Sequence, residues 1–335
     1  MASGQLTNNN QNIWSKWHSE NTPITIGVSK CLIGEKVRYD GNHARNSFVA
    51  DTLNKWVEFT PVCPEADLGM GIPRPTIRLE KQKNDIKLIC PSTNKDYSKQ
   101  MNNYGLKKVK EFKKNELDGY IFKRSSPSCG INKLKVFRDD GSIERTGIGF
   151  FAKNILEQFP NLPIEDEGRL SDPQLRENFI ERIFCHNRWR NLKNKGLTIK
   201  RLVEFHTVHK LLLRAHNETA YRRLGKIVGS AKTISNKELF KSYEDEFYKA
   251  LLKKTTKKNH ANVLYHALGY LKKQLNLDEK QRLIDVIEEY RTGILPLIVP
   301  LSLFNYQIML HDIKYLKSQL YFNPHPKELN LKNHV

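Results

Sequence analysis

The chain has 335 residues, enough for two ordinary domains, and 39% apolar content with four Trp excludes a largely disordered polymer. The formal net charge is +20, a field that attracts polyanions, of which RNA and DNA are the usual soluble ones. No run of eighteen apolar residues occurs, and the Met-Ala-Ser-Gly start lacks a basic-then-apolar signal, so a cytoplasmic chain without a membrane segment is expected.

Residues 1–22 are polar and read as a disordered leader. From residue 23, strand-like and helix-like segments alternate. Ile24–Ser29 predicts a strand, Arg45–Lys55 a helix and Val57–Val62 a second strand. Thr76–Leu79 and Ile86–Cys90 bracket a hairpin-like turn. Ser98–Asn115 reads as a helix with a loose apolar face through Tyr97, Met101, Tyr104, Leu106 and Val109. Asp118–Lys123 reads as a strand and Gly147–Phe159 as a helix. This alternation predicts an α/β, Rossmann-like domain over 23–166, with a mainly parallel sheet and helices on both faces.

After Ser171-Asp172-Pro173 the strand signal ends, and Asp172 with Pro173 forms a helix-start signature. Helical periodicity runs over Leu175–Leu192, Thr198–Ala215, Thr219–Gly225, Asn236–Leu252, Asn259–Leu275, Asp278–Thr292 and Ser302–Tyr321. Residues 172–335 therefore read as an all-α domain. The charge divides unevenly: residues 1–165 hold 25 Lys and Arg against 18 Asp and Glu, and residues 166–335 hold 31 against 18.

Three of the five cysteines lie in turn-like loops after strand-like segments: Cys31 in Ser-Lys-Cys-Leu-Ile-Gly, Cys63 in Pro-Val-Cys-Pro-Glu and Cys129 in Ser-Ser-Pro-Ser-Cys-Gly. Loops at the carboxyl ends of strands in an open α/β sheet converge on one crevice. Separations of 32 and 66 residues are not zinc-ribbon spacing, so the residues alone leave zinc, an iron–sulfur cluster and a thiol nucleophile open. Cys90 and Cys185 read as structural. Arg38 and Arg74 lie near the loops and suit either charge compensation or a phosphate.

The stretches 29–41 (S-K-C-L-I-G-E-K-V-R-Y-D-G), 61–65 (P-V-C-P-E), 71–75 (G-I-P-R-P) and 126–130 (S-P-S-C-G) resemble the thiouracil desulfurase, or TudS-like, family. The second half resembles the YbgA-like helical domain through F-H-T-V-H-K at 205–210, L-R-A-H-N-E-T-A-Y-R-R-L-G at 213–225, N-V-L-Y-H-A-L-G-Y-L at 262–271, P-L-I-V-P-L at 296–301 and P-H-P-K-E-L at 324–329. Chains joining both domains resemble the RudS type, desulfidases acting on 4-thiouridine in tRNA. The resemblance implies a 4Fe-4S cluster held by Cys31, Cys63 and Cys129, and removal of sulfur without net redox chemistry. It also implies tRNA as a partner, with small thiolated uracil derivatives as the alternative substrates.

Such a reaction needs an acid/base and a hydrogen-bond donor beside the reacting carbon. Glu65, just past a cysteine and a proline, is the expected acid/base. Ser126 is the expected donor, and Asp40 in the Tyr-Asp-Gly turn is a further catalytic candidate beside its ordinary turn chemistry. Tyr39, Trp189 and Tyr221 are aromatics that could stack on a base. His206, His209, His216 and His266 tempt a metal reading, but core or capping roles fit their spacing better. The basic clusters point to phosphate contacts: Arg188, Arg190, Lys193, Lys195, Lys200 and Arg201 in one, Arg222 and Arg223 in another, Lys257 and Lys258 in a third. A cluster-bearing, non-enzymatic RNA sensor is the remaining reading.

Overall fold

The computed structural model describes residues 23–334, residue 84 excepted, so the expected leader lies outside the described residues. Two compact units divide the described chain between Phe179 and Ile180. In chain order the first contains β1 (Thr25–Ser29), β2 (Glu58–Val62), the short helix α1 (Pro64–Asp67), β3 (Arg78–Gln82), β4 (Asp85–Cys90) and β5 (Lys95–Asp96). It continues with α2 (Ser98–Asn115), β6 (Gly119–Phe122), β7 (Leu134–Arg138), β8 (Ile143–Gly147), α3 (Phe150–Gln158) and β9 (Ile164–Asp166).

The strands form two sheets. One is wholly parallel, in the order β2-β1-β6-β9. Its inner strands are buried on both faces, as a covered parallel sheet requires: Ile26, Val28, Tyr120, Ile121 and Phe122 exclude solvent. Pro61 is tolerated because β2 is an edge strand. The other sheet is mixed, in the order β5-β4-β3-β7-β8, with only the β3–β7 pair parallel. The expected single, mainly parallel sheet is thus one of two. Half of the second is legible in the sequence as a hairpin, whereas β7–β8 was not expected. The signal was present: Asp140-Gly141 turns the chain there, with Gly141 at φ +80°.

Gly27 in β1 stands opposite Tyr120 in β6. A Cβ there would lie 2.2 Å from Tyr120 Cδ2, so only glycine lets the ring cover the strand. Helix α2 buries Met101, Val109 and Phe112 and meets α3 where Gly105 faces Asn154. Leu106, expected on the apolar face, is exposed, and Phe112 takes the buried stripe instead. The expected helix over Arg45–Lys55 shortens to a π turn over Phe48–Thr52 and a 3-10 turn over Leu53–Lys55. Val49 and Leu53, four apart, mimic a helical stripe but are the buried positions of both turns.

Helix α4 (Pro173–Asn194) leads into the second unit, and the Asp172 carboxylate accepts from Leu175 N at its start. There follow α5 (Ile199–His216), α6 (Glu218–Gly229), α7 (Asn236–Leu252), α8 (Lys257–Leu271), α9 (Leu277–Thr292), α10 (Ile298–Leu310) and α11 (Lys314–Lys317). Side chains of Thr198, Asn217, Ser235, Thr256 and Asn276 cap α5 to α9, which explains where each begins. Pro300 falls in the first turn of α10, where its missing N–H costs nothing. The expected helix over Ser302–Tyr321 breaks after Leu310, with Asp312 at φ +50°. Trp189, Phe205, Tyr243 and Phe247 form the centre of this core. Among the described residues, no helix is long and apolar enough to cross a membrane.

We expect Gly27→Ala to destabilise by about 1–3 kcal/mol through overpacking. Gly269→Ala in α8, where a Cβ meets nothing within 4 Å, should stabilise by about 0.5–1 kcal/mol. Urea midpoints followed by circular dichroism check both; an unchanged midpoint for Gly27→Ala contradicts the packing argument.

Candidate metal centre

Parallel strands end on the same side of their sheet, and β2, β1 and β6 are neighbours. Ser29 and Val62, the last residues of β1 and β2, are paired in register. Cys31 follows β1 in a 3-10 turn closed by Gly34 at φ +104°. Cys63 directly follows β2 and caps α1, whose Asp67 N donates to Cys63 O at 2.8 Å. The loop after β6 carries Cys129, and Lys123 N at its start donates to Ser29 Oγ at 2.9 Å. All three cysteines line one cavity of about 410 Å³, within the size range of small-molecule sites.

Helix α3 fixes the third loop. Phe151 N and Ala152 N donate to Ser128 O at 3.0 and 3.1 Å, and Gly149 N donates to Gly130 O at 2.8 Å. A Cβ on Gly149 would lie 2.5 Å from Ser128 O, so glycine permits this close approach. Ser126 Oγ accepts from Cys129 N at 3.1 Å and from Ser128 N at 3.3 Å.

Glu65 lies on α1 beside the thiols, and both carboxylate oxygens are engaged. Arg74 Nε and Nη2 donate to Oε2 at 3.0 and 2.7 Å. Ser126 Oγ donates to Oε1 at 3.3 Å, and Ser128 Oγ donates to the same oxygen. Arg74 Nη1 is spent on Val37 O at 2.9 Å and Gly71 O at 3.1 Å. Its side chain is only 3% exposed, so Arg74 positions Glu65 instead of reaching outward to a phosphate. Ser128, fully buried, is a positioning residue to which the sequence assigned no role; its place two residues after Ser126 in the same turn was the available signal.

The thiols are electrostatically coupled. Burial pushes Cys31 up to about 12, with Cys63 adding to the rise. Burial also raises Cys63. Cys129 is held well above the ordinary thiol range by burial, then by Glu65, Cys63 and Cys31. Three desolvated sulfurs that repel one another's charge are what a bound cation reverses, because thiolate ligands are neutralised by the metal. A soft three-sulfur donor set in a cavity with room beyond the sulfurs fits an iron–sulfur cluster. Among the described residues, no three His, Cys, Asp or Glu side chains are grouped as a single-ion site.

Arg38 and Tyr39 also line the cavity, with Arg38 5.5 Å from the Tyr39 ring centroid. Lys123 and Arg124 line it from the β6 side. Asp40 does not. Its Oδ1 accepts from Asn42 N at 3.1 Å, and that bond, followed by Arg38, holds its carboxyl below the usual range. This is ordinary turn chemistry and corrects the expectation that Asp40 joins the catalytic group. Cys90 and Cys185 are buried elsewhere.

The helical unit holds the remaining candidates. Trp189 is 1% exposed and donates to Glu244 Oε1 at 2.8 Å, so it is core and not a stacking surface. Arg188 is buried and donates to Pro324 O, which removes it from the expected phosphate cluster. Arg222 pairs with Glu218 at 3.0 Å and Arg223 with Glu246 at 2.6 Å, while Lys257 is half-buried and Lys258 exposed. His206, His209 and His216 bond to Tyr243 Oη, Phe205 O and Lys253 O within the core.

Each half of the chain matches a known family model. A family model described as 2-thiouracil desulfurase matches residues 26–167, and a family of unknown function, DUF1722, matches residues 210–326. The uncharacterized protein YbgA of Escherichia coli (strain K12) is 31% identical over 158 residues, 47% of this chain and 94% of YbgA. A solved structure of the 4Fe-4S-dependent thiouracil desulfidase TudS is 24% identical, covering 44% of this chain and 94% of that one, with a TM-score of 0.37. The chain joins a 2-thiouracil desulfurase domain to a mostly helical domain. It belongs to the family of YbgA.

Removing Arg74 leaves a nearly buried carboxylate unpaired, so we expect Arg74→Met to destabilise by about 3–5 kcal/mol. A double-mutant cycle with Glu65→Gln should give a coupling of about 1 kcal/mol or more. Additive losses in denaturant unfolding contradict the clamp.

Proposed function

We propose that this chain is an iron–sulfur-dependent desulfidase that converts 4-thiouridine in tRNA to uridine and releases sulfide. The observation that carries this reading is the convergence of Cys31, Cys63, Cys129 and a clamped Glu65 on one cavity. Residues 23–166 form the desulfurase domain in this reading, and residues 172–335 form an RNA-binding helical domain. The surplus of 31 Lys and Arg over 18 Asp and Glu in residues 166–335 supports an RNA partner.

Cys31, Cys63 and Cys129 would hold the 4Fe-4S cluster. When bound, the cluster supplies a Lewis-acidic iron suited to a thiocarbonyl sulfur. Glu65 accepts a proton from water as the water oxygen bonds to C4 of the base. The C–S bond breaks, C4 becomes a carbonyl, and sulfur leaves as hydrosulfide or hydrogen sulfide with the protons from water. The step is hydrolytic, with no net oxidation. Arg74 fixes the direction of the Glu65 carboxylate. Ser126, half-buried at the cavity, gives its one hydroxyl proton to Glu65 Oε1, so its part in the reaction is to orient the base. A cavity of about 410 Å³ also admits a free thiouracil or thiouridine monophosphate, which is the second reading.

The test is anaerobic turnover of thiolated tRNA by reconstituted variants. Cys31→Ser, Cys63→Ser and Cys129→Ser should each lose iron and the cluster absorbance. Glu65→Gln should keep both while turnover falls about 10²- to 10⁴-fold. Surviving turnover in Glu65→Gln removes the base from Glu65, and a fully active iron-free protein removes the cluster.

A further inference from the structure

A second cavity, of about 520 Å³, opens on the desulfurase unit outside the cysteine site. Helix α2 contributes Gln100, Asn103, Tyr104 and Lys107, the last three spaced three, four and seven residues from the first and so on one helix face. Lys95 and Tyr97 close it from the β5 side, and residues 68–70 form the remaining wall. Those residues continue from α1, the helix that carries Glu65 into the first cavity. Both cavities thus draw lining residues from the one short segment 64–70.

The lining chemistry is one-sided. Lys95, Gln100, Asn103 and Lys107 are exposed, and no Asp or Glu lines the cavity among the described residues. The Lys95 ammonium sits 4.7 Å from the Tyr97 ring centroid, which positions its charge without neutralising it. Two neighbouring acids already have partners: Asp67, behind the cavity wall, bonds Lys30 Nζ at 3.0 Å and accepts from Tyr104 Oη, and Asp96 lies 4.0 Å from Lys87 Nζ and accepts from Ser98 N. Two ammonium groups and two amides suit a ligand that is anionic and rich in hydrogen-bonding groups; the Tyr97 and Tyr104 rings, packed against the core and faced by Lys95 and Lys108, form its wall. A nucleotide of an RNA chain meets that description, gripped through its phosphate and its hydrogen-bonding edges.

We infer that this cavity binds a nucleotide of the RNA substrate that flanks the thiolated one, so that the desulfurase unit itself grips the chain beside the reacting base. The inference rests on the RNA reading of the first site. The proposed subsite supplies two cationic contacts, and each phosphate contact on single-stranded RNA contributes about 0.7 to the salt slope.

Fluorescence anisotropy of the full chain with a labelled short oligouridylate tests it, with uridine monophosphate as competitor and free thiouracil desulfuration as the activity control. Lys95→Glu/Lys107→Glu should weaken oligouridylate binding about tenfold or more and flatten the salt slope by at least about 1.4, the share of the two lost contacts. Lys95→Met/Lys107→Met should give a smaller loss in the same direction, and both variants should desulfurate free thiouracil at the wild-type rate. Gln100→Ala/Asn103→Ala should weaken binding with an unchanged slope. Unchanged affinity and slope in both lysine variants overturn the subsite even if thiolated tRNA is turned over. Equal loss for uridine monophosphate and oligouridylate overturns the commitment to an RNA chain. Weakened oligouridylate binding by variants of a protein that desulfurates free thiouracil but not tRNA keeps the subsite and overturns the tRNA reading.

Discussion

Parallel pairing of three adjacent strands is the constraint on which the rest of the site depends. Because β2, β1 and β6 run in one direction, their carboxyl ends share an edge, and every loop that leaves them must start there. Cys31, Cys63 and Cys129 are far apart in sequence, yet this geometry allows them no other meeting place. The Tyr120 ring over Gly27 holds β1 against β6, so packing in the sheet interior sets the distance between two of the sulfur-bearing loops. The amide ends of α3 hold the Cys129 loop from the far side.

A second layer of interactions turns this meeting place into a chemical site. Glu65 would be a costly buried carboxylate if left alone, and Arg74 with two serine hydroxyls satisfies it. Those hydroxyls belong to the loop that presents Cys129, so the acid and the sulfur are oriented by one hydrogen-bond network. The Arg74 side chain also ties Val37 and Gly71 backbone carbonyls together, joining the segments after β1 and α1. The carboxylate and the Cys129 loop therefore share one set of hydrogen bonds.

Much of this could be read from the sequence, and the exceptions have physical reasons. The strand-then-cysteine pattern located the three loops, because buried parallel strands read as short apolar runs and Gly, Pro and Ser mark the turns at their ends. Ser98–Asn115 and Asn236–Leu252 match their helices to the residue, since the side chains of Asp96 and Ser235 accept from amides of their first turns. The β7–β8 hairpin was missed because its strands alternate with charged residues on an exposed face and carry little apolar signal, despite Asp140-Gly141. β9 was missed because three residues give no periodicity. Arg188 and Trp189 are expected to contact RNA, and Arg74 to offset charge or grip a phosphate, because sequence supplies charge and ring type but not burial. Asp40 was raised by its turn motif, whose own backbone hydrogen bond accounts for it.

The measurement that reaches the central claim most directly is anaerobic incubation of the reconstituted chain with bulk thiolated tRNA, following the near-UV thiouridine absorbance and free sulfide together. The account predicts that the band disappears as an equivalent amount of sulfide is released. A band that persists on tRNA and on free thiouracil, with iron bound at the three cysteines, would contradict it and leave a cluster-bearing protein that performs no desulfuration.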